Sequence, residues 1–150
     1  MKPHATQPNV SIVENFIRDP ETLMTTLRET IDWERSMAAR WTASYGVPYN
    51  YAQMVYPATE MHTALVPIVD KLHDALGIRF NNCLLNFYQN ERSKIGFHSD
   101  ETKDLVAETG VAIVSVGQPR HLHFRRRDEP EVRTSFLLEP GSMLFMGIDV

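Results

Sequence analysis

Apolar residues recur at helical spacing in two stretches of the chain and at strand spacing in most of the rest. Leu23, Met24, Leu27 and Ile31 fall three and four apart, giving one apolar stripe along about three helical turns. Asp19-Pro20-Glu21 stands just before them. Asp is a good N-cap, Pro suits the first helical position, and Glu favours the positive end of the helix dipole. Residues 1–10 read as a loose lead-in and residues 11–17 as a short strand. A second helix is predicted over residues 62–76, with Leu65, Ile68, Val69, Leu72, Ala75 and Leu76 inward. Asp70, Lys71, His73 and Asp74 then face water, and Gly77 is placed to end the helix. Pro67 is awkward inside it and implies a start near Ala64, or a kink.

From Asn82 onward the period changes to two. Strands are predicted at 83–88, at 111–116 and at 121–126, where Leu122 and Phe124 share one face and His121 and His123 the other. The run 111–116 is almost wholly apolar, which predicts a strand buried on both faces. Asp128-Glu129-Pro130 turns the chain into a strand over 132–138, and Glu139-Pro140-Gly141 turns it again into 142–146. Two helices followed by many strands predict one α+β domain over residues 1–150. Residues 35–58 fit neither period and hold four of the chain's five tyrosines and one of its two tryptophans. They read as loops and short strands whose aromatics either pack on the domain or offer a surface on which flat molecules stack.

Composition narrows the class. The chain has 150 residues, 43% hydrophobic and 23% charged, ordinary for a soluble domain. It has no apolar run long enough to span a membrane and no apolar leader after Met1-Lys2-Pro3-His4. Cys83 is the single cysteine, which excludes a disulfide framework and suits a reducing compartment; the expected location is cytoplasmic, or nuclear in a eukaryote. As the lone thiol on an apolar strand it is expected to pack as a small hydrophobe. The net charge of −4 does not mark a nucleic-acid binder. Residues 120–133 nevertheless carry five arginines and two histidines against Asp128, Glu129 and Glu131. That basic stretch is either a solvated hairpin or a phosphate-contacting patch.

His98-Ser99-Asp100 is the sharpest local feature. On extended backbone, residues i and i+2 point the same way, so an imidazole and a carboxylate can hold one ion from one side. Two histidines and a carboxylate on one face of Fe(II) leave positions open for a cosubstrate and dioxygen. Taken alone, such a triplet arises by chance and is more often a surface His–Asp pair than a metal site. Upstream, Asn86 and Tyr88 place an amide and a phenol on one face of an otherwise apolar strand. Burying such groups has a cost unless each finds a partner, which a carboxylate-bearing ligand would supply.

The series Asn86-Phe87-Tyr88, His98-Ser99-Asp100-Glu101, Ile113-Val114-Ser115-Val116-Gly117, Arg120, Phe124-Arg125 and Pro140-Gly141-Ser142-Met143 resembles the AlkB family of iron(II)/2-oxoglutarate dioxygenases. Order and spacing agree over roughly residues 80–146. Thr42, Tyr45, Gly46 and Pro48-Tyr49-Asn50-Tyr51 resemble the family's nucleotide-recognition lid more loosely. The resemblance implies a double-stranded β-helix (jelly-roll) core with N-terminal helices packed outside. It implies oxidative dealkylation of bases in DNA or RNA with Fe(II), 2-oxoglutarate and O2. By matching position, His98 and Asp100 would ligate the metal and Asn86 and Tyr88 would bind 2-oxoglutarate. Trp41, Tyr45, Tyr49 and Tyr51 would meet the base, and Arg120 with the arginines at 125–127 the phosphates.

Two family features fall past Val150: a histidine that is the third metal ligand and an arginine that pairs with 2-oxoglutarate. The resemblance therefore implies a domain truncated at its C-terminus, its last strands missing. His121 and His123 read as solvent-facing or phosphate-contacting groups rather than substitute ligands. The expected partner is alkylated nucleic acid, met by a monomer away from any membrane. The alternatives are an oxygenase acting on a protein or small molecule, and a truncated jelly roll without activity.

Overall fold

The structure is a computed structural model that describes residues 10–36, 40–47, 59–88, 110–125, 128–129, 131 and 133–147. Among them the chain forms two compact units, one of residues 1–26 with 109–150 and one of residues 27–108.

Local chemistry accounts for the helices. Helix α1 spans Pro20–Thr30. Asp19 starts it as expected: Oδ1 accepts the Thr22 backbone N–H at 3.1 Å and Oδ2 accepts the Thr22 hydroxyl at 2.7 Å. These two bonds favour the carboxylate and lower its pKa from the usual value. Leu27 and Ile31 are buried, as their spacing requires. Helix α2 spans Val66–Leu76, four residues shorter at its start than the apolar pattern indicates. Pro67 explains the difference. It sits in the first turn, where its missing N–H leaves no bond unmade. Gly77 closes the helix at φ 72°, with its N–H on the His73 carbonyl at 2.8 Å.

The first unit is built around one strand. Strands β1 (Val10–Val13), β4 (Val111–Val114) and β7 (Met143–Met146) form an antiparallel sheet in the order β1-β7-β4. Leu144 lies between Ile12 and Ile113, and Met143 between Val13 and Val114. The apolar run at 111–116 is not the buried strand that its composition predicts. β4 is shorter, half-buried throughout and borders only β7 among the described residues. Met143 and Leu144 are the buried pair, because β7 is flanked on both sides. Gly141 makes the preceding turn possible at φ 87°, since an added Cβ would lie 2.8 Å from the Ile17 carbonyl oxygen. Strands β5 (Arg120–Arg125) and β6 (Arg133–Leu138) form a separate antiparallel ribbon, with Phe124 edge-on to Phe136 at 5.8 Å.

In the second unit, β2 (Trp41–Gly46) pairs antiparallel with β3 (Asn82–Phe87). The short strands expected near 11–17 and within 35–58 are present as β1 and β2, so strands and helices interleave along the first half of the chain. β1 also finds its partner at the other end of the chain, a pairing that periodicity cannot specify.

Candidate functional site

Alternation divides the β2–β3 pair into two unlike faces. Thr42 lies opposite Asn86 and Ser44 opposite Leu84; Asn82 shares their face, and Arg40 and Tyr88 continue the alternation one residue beyond the strands. The other face carries Trp41, Ala43, Tyr45, Cys83, Leu85 and Phe87. A polar strand face is ordinarily wet. Here Thr42 is 0% exposed and Arg40 only 2%. Groups so shielded need internal partners.

The two asparagines of this face meet that need differently. Asn82 Nδ2 lies within reach of the Ser44 hydroxyl at 3.2 Å and of the Tyr45 and Val47 carbonyls at 3.2 and 2.8 Å, so its donors are spent holding the end of β2. Asn86 instead accepts. Its Oδ1 takes the Nε–H of Arg40 at 2.9 Å, and its Nδ2 donates no hydrogen bond among the described residues. A guanidinium cannot accept, so the amide orientation follows from chemistry. What Asn86 still offers is a donor, and a donor suits a carboxylate.

The apolar face is an aromatic cluster. Trp41 stacks on Phe87 at 5.4 Å between centroids, Trp33 meets Phe87 edge-on at 5.5 Å, and the Arg35 guanidinium carbon lies 4.1 Å from the Trp41 centroid. Trp41 therefore has packing work of its own. Tyr45 likewise accepts the Asp32 backbone N–H on its phenol oxygen at 3.4 Å and meets the His62 ring edge-on at 5.4 Å. On the same face, burial pushes the Cys83 thiol up to about 12. At pH 8 only roughly one thiol in 10⁴ would then be ionised. Labelling by a disulfide reagent should run about 1,000-fold slower in the folded chain than in the chain unfolded in urea. Equal rates would show that this face is open to solvent.

Tyr88 is half-buried beyond the end of β3 and is engaged within the chain. Arg120 pairs with Leu138, is half-buried and is also engaged. His121 and His123 are exposed on β5 with rings stacked at 6.1 Å. His73, expected to face water, approaches the Arg79 guanidinium with Nδ1 at 3.3 Å, while Arg79 also bridges to Asp70 at 2.9 Å. His98, Asp100, Tyr49, Tyr51, Arg126 and Arg127 lie outside the described residues, as does the side chain of Arg125. Among the described residues no three His, Cys, Asp or Glu side chains gather to hold a metal ion. No described helix is long and apolar enough to cross a membrane.

Arg40 and Asn82 were given no role by sequence reasoning. The signal was present in the polar alternation Arg40, Thr42, Ser44 and Asn82, Asn86, Tyr88. It was hidden because aromatics dominate the first stretch.

Residues 10–150 match the family model of the 2OG-Fe(II) oxygenase superfamily. The chain is 29% identical over 147 residues to alpha-ketoglutarate-dependent dioxygenase alkB homolog 3 of Bos taurus, covering 91% of this chain and 50% of that protein. It is 30% identical over 146 residues to the Homo sapiens protein of the same name, covering 90% and 50%. The DNA oxidative demethylase ALKBH2 of Bos taurus is 30% identical over 92 residues, covering 54% of this chain and 33% of that protein. The chain spans about half the length of the first two.

Proposed function

This chain belongs to the 2OG-Fe(II) oxygenase superfamily, among its AlkB-like members, and from that premise we propose that it is part of an oxidative dealkylase of alkylated bases in DNA or RNA. The observation that carries the reading is the shielded polar face of β2–β3, where Asn86 keeps an amide donor for an anionic ligand. A carboxylate fits that donor as an N–H···O⁻ bond, stronger than a neutral one. Tyr88 would add its phenol. His98 and Asp100 would hold iron, a neutral nitrogen beside a hard anionic oxygen. With both bound, iron(II) and 2-oxoglutarate supply the O2-dependent oxidation that hydroxylates an N-alkyl carbon, after which the alkyl group leaves as an aldehyde.

The fold this reading requires is a jelly-roll core, with residues 1–150 contributing one domain. The base would leave its duplex to reach the metal. Aromatics receive such a flat, cationic ring well, and Trp41, Tyr45, Tyr49 and Tyr51 are the candidates. Arg120 and the arginines at 125–127 would touch phosphates, adding affinity without sequence information. The protein would act as a monomer, in the cytoplasm or the nucleus.

Formaldehyde release from oligonucleotides carrying 1-methyladenine or 3-methylcytosine, assayed with a version extended at the C-terminus, tests the reading. Release that depends on Fe(II) and 2-oxoglutarate is expected; none from any such oligonucleotide would sink it. The net charge of −4 favours a second reading, an oxygenase for a protein or small molecule. Under that reading, binding to DNA and RNA would be weak and would not change on charge reversal of Arg120 and Arg125, whereas a nucleic-acid enzyme would lose affinity and salt dependence.

A further inference from the structure

We infer that Arg40 is a positioning residue for the cosubstrate: its Nε–H holds the Asn86 carbonyl so that the amide N–H groups are left for a 2-oxoglutarate carboxylate. This rests on the reading of Asn86 as a 2-oxoglutarate ligand and goes beyond it by naming what orients the amide. An asparagine amide has two nearly isosteric orientations that differ in which end donates. A ligand carboxylate binds only one of them. Arg40 removes the ambiguity, because turning the amide over would set Nδ2 against Nε–H, donor against donor, at 2.9 Å. The guanidinium is enclosed, with Arg40 2% exposed and next to Trp41, whose ring stacks on Phe87. Thr42, 0% exposed, stands directly across from Asn86 and fills the space on its other strand.

Asn82 shows what the alternative looks like on the same face. Its acceptors are Ser44, Tyr45 and Val47, all within the chain, so it needs no ligand and has no arginine on its carbonyl among the described residues. The two amides have opposite polarity toward their surroundings. Among the described residues, only the one beside Arg40 presents a donor that no acceptor receives.

The test is a titration of 2-oxoglutarate into the Mn(II)-loaded protein extended at its C-terminus past Val150. Binding is followed by calorimetry and by fluorescence of Trp33 and Trp41, which both pack on Phe87 beside Asn86. Arg40→Gln should weaken 2-oxoglutarate binding about tenfold, and Asn86→Ala by at least as much, the loss of roughly one charge-assisted hydrogen bond. The double variant should bind no more weakly than Asn86→Ala, because without the amide there is nothing to orient. Unchanged binding by Arg40→Gln overturns the inference, and so does a tenfold loss that persists in the Asn86→Ala background. Should Arg40→Gln fail to fold, Asn86→Asp decides the matter. It keeps an acceptor for Arg40 but has no donor, so it should melt no lower than wild type and bind 2-oxoglutarate more than about tenfold weaker. Binding equal to wild type by that variant overturns the inference. A wild-type chain that binds no 2-oxoglutarate overturns the functional reading along with it, a result distinct from the variant outcomes.

Discussion

Leu144→Ala should destabilise the protein by about 3–4 kcal/mol, a large share of the roughly 5–15 kcal/mol that holds a domain of this size. Leu144 is 0% exposed in the strand flanked by β1 and β4, with Ile12 and Ile113 as its Cα partners. Truncation removes the transfer energy of the side chain and leaves a void that two neighbouring strands cannot both move to fill. Urea unfolding should show a lower midpoint with an unchanged m-value. Val13→Ala is the contrast. Val13 is 46% exposed in the neighbouring strand, and its loss should cost no more than about 0.5 kcal/mol. If Leu144→Ala cost under about 1 kcal/mol, β7 would not be the centre of this unit.

His98→Ala and Asp100→Ala should each lower Mn(II) affinity by at least about 100-fold and remove 2-oxoglutarate-dependent formaldehyde release. On the proposed ligand set, the site would lose its hard anionic oxygen without Asp100 and a neutral nitrogen without His98. His121→Ala and His123→Ala are the controls and should leave metal affinity unchanged. Those rings are exposed on β5 and stack on one another. Electron paramagnetic resonance of free Mn(II) during a titration measures all four. Intact affinity in the first two variants, or a large loss in the second two, would show that the ligand set is drawn from other residues.

The expected site survives unevenly in the structure. Asn86 is where the alternation put it, on a shielded face. Arg40 satisfies its carbonyl, so what Asn86 offers a ligand is its amide donor. Trp41 and Tyr45 were legible as aromatic surface, but not as side chains already packed against Phe87, Arg35 and His62. An aromatic-rich sequence looks the same whether its rings meet a substrate or each other.

What the amino-acid sequence determined by itself is what acts over a few residues: Asp19 as the cap of α1, Pro67 and Gly77 as limits of α2, and the strand positions from Asn82 onward. The order of motifs around His98-Ser99-Asp100 was also enough to indicate the family, since it needs no folding to be seen. Tertiary structure decided which strand is central and which polar groups face each other. β1 reaches β7 across nearly the whole chain, and Arg40 reaches Asn86 across 46 residues. Hydrogen bonds at such separations depend on strand register, and register is the outcome of burying whole faces together rather than of any local preference.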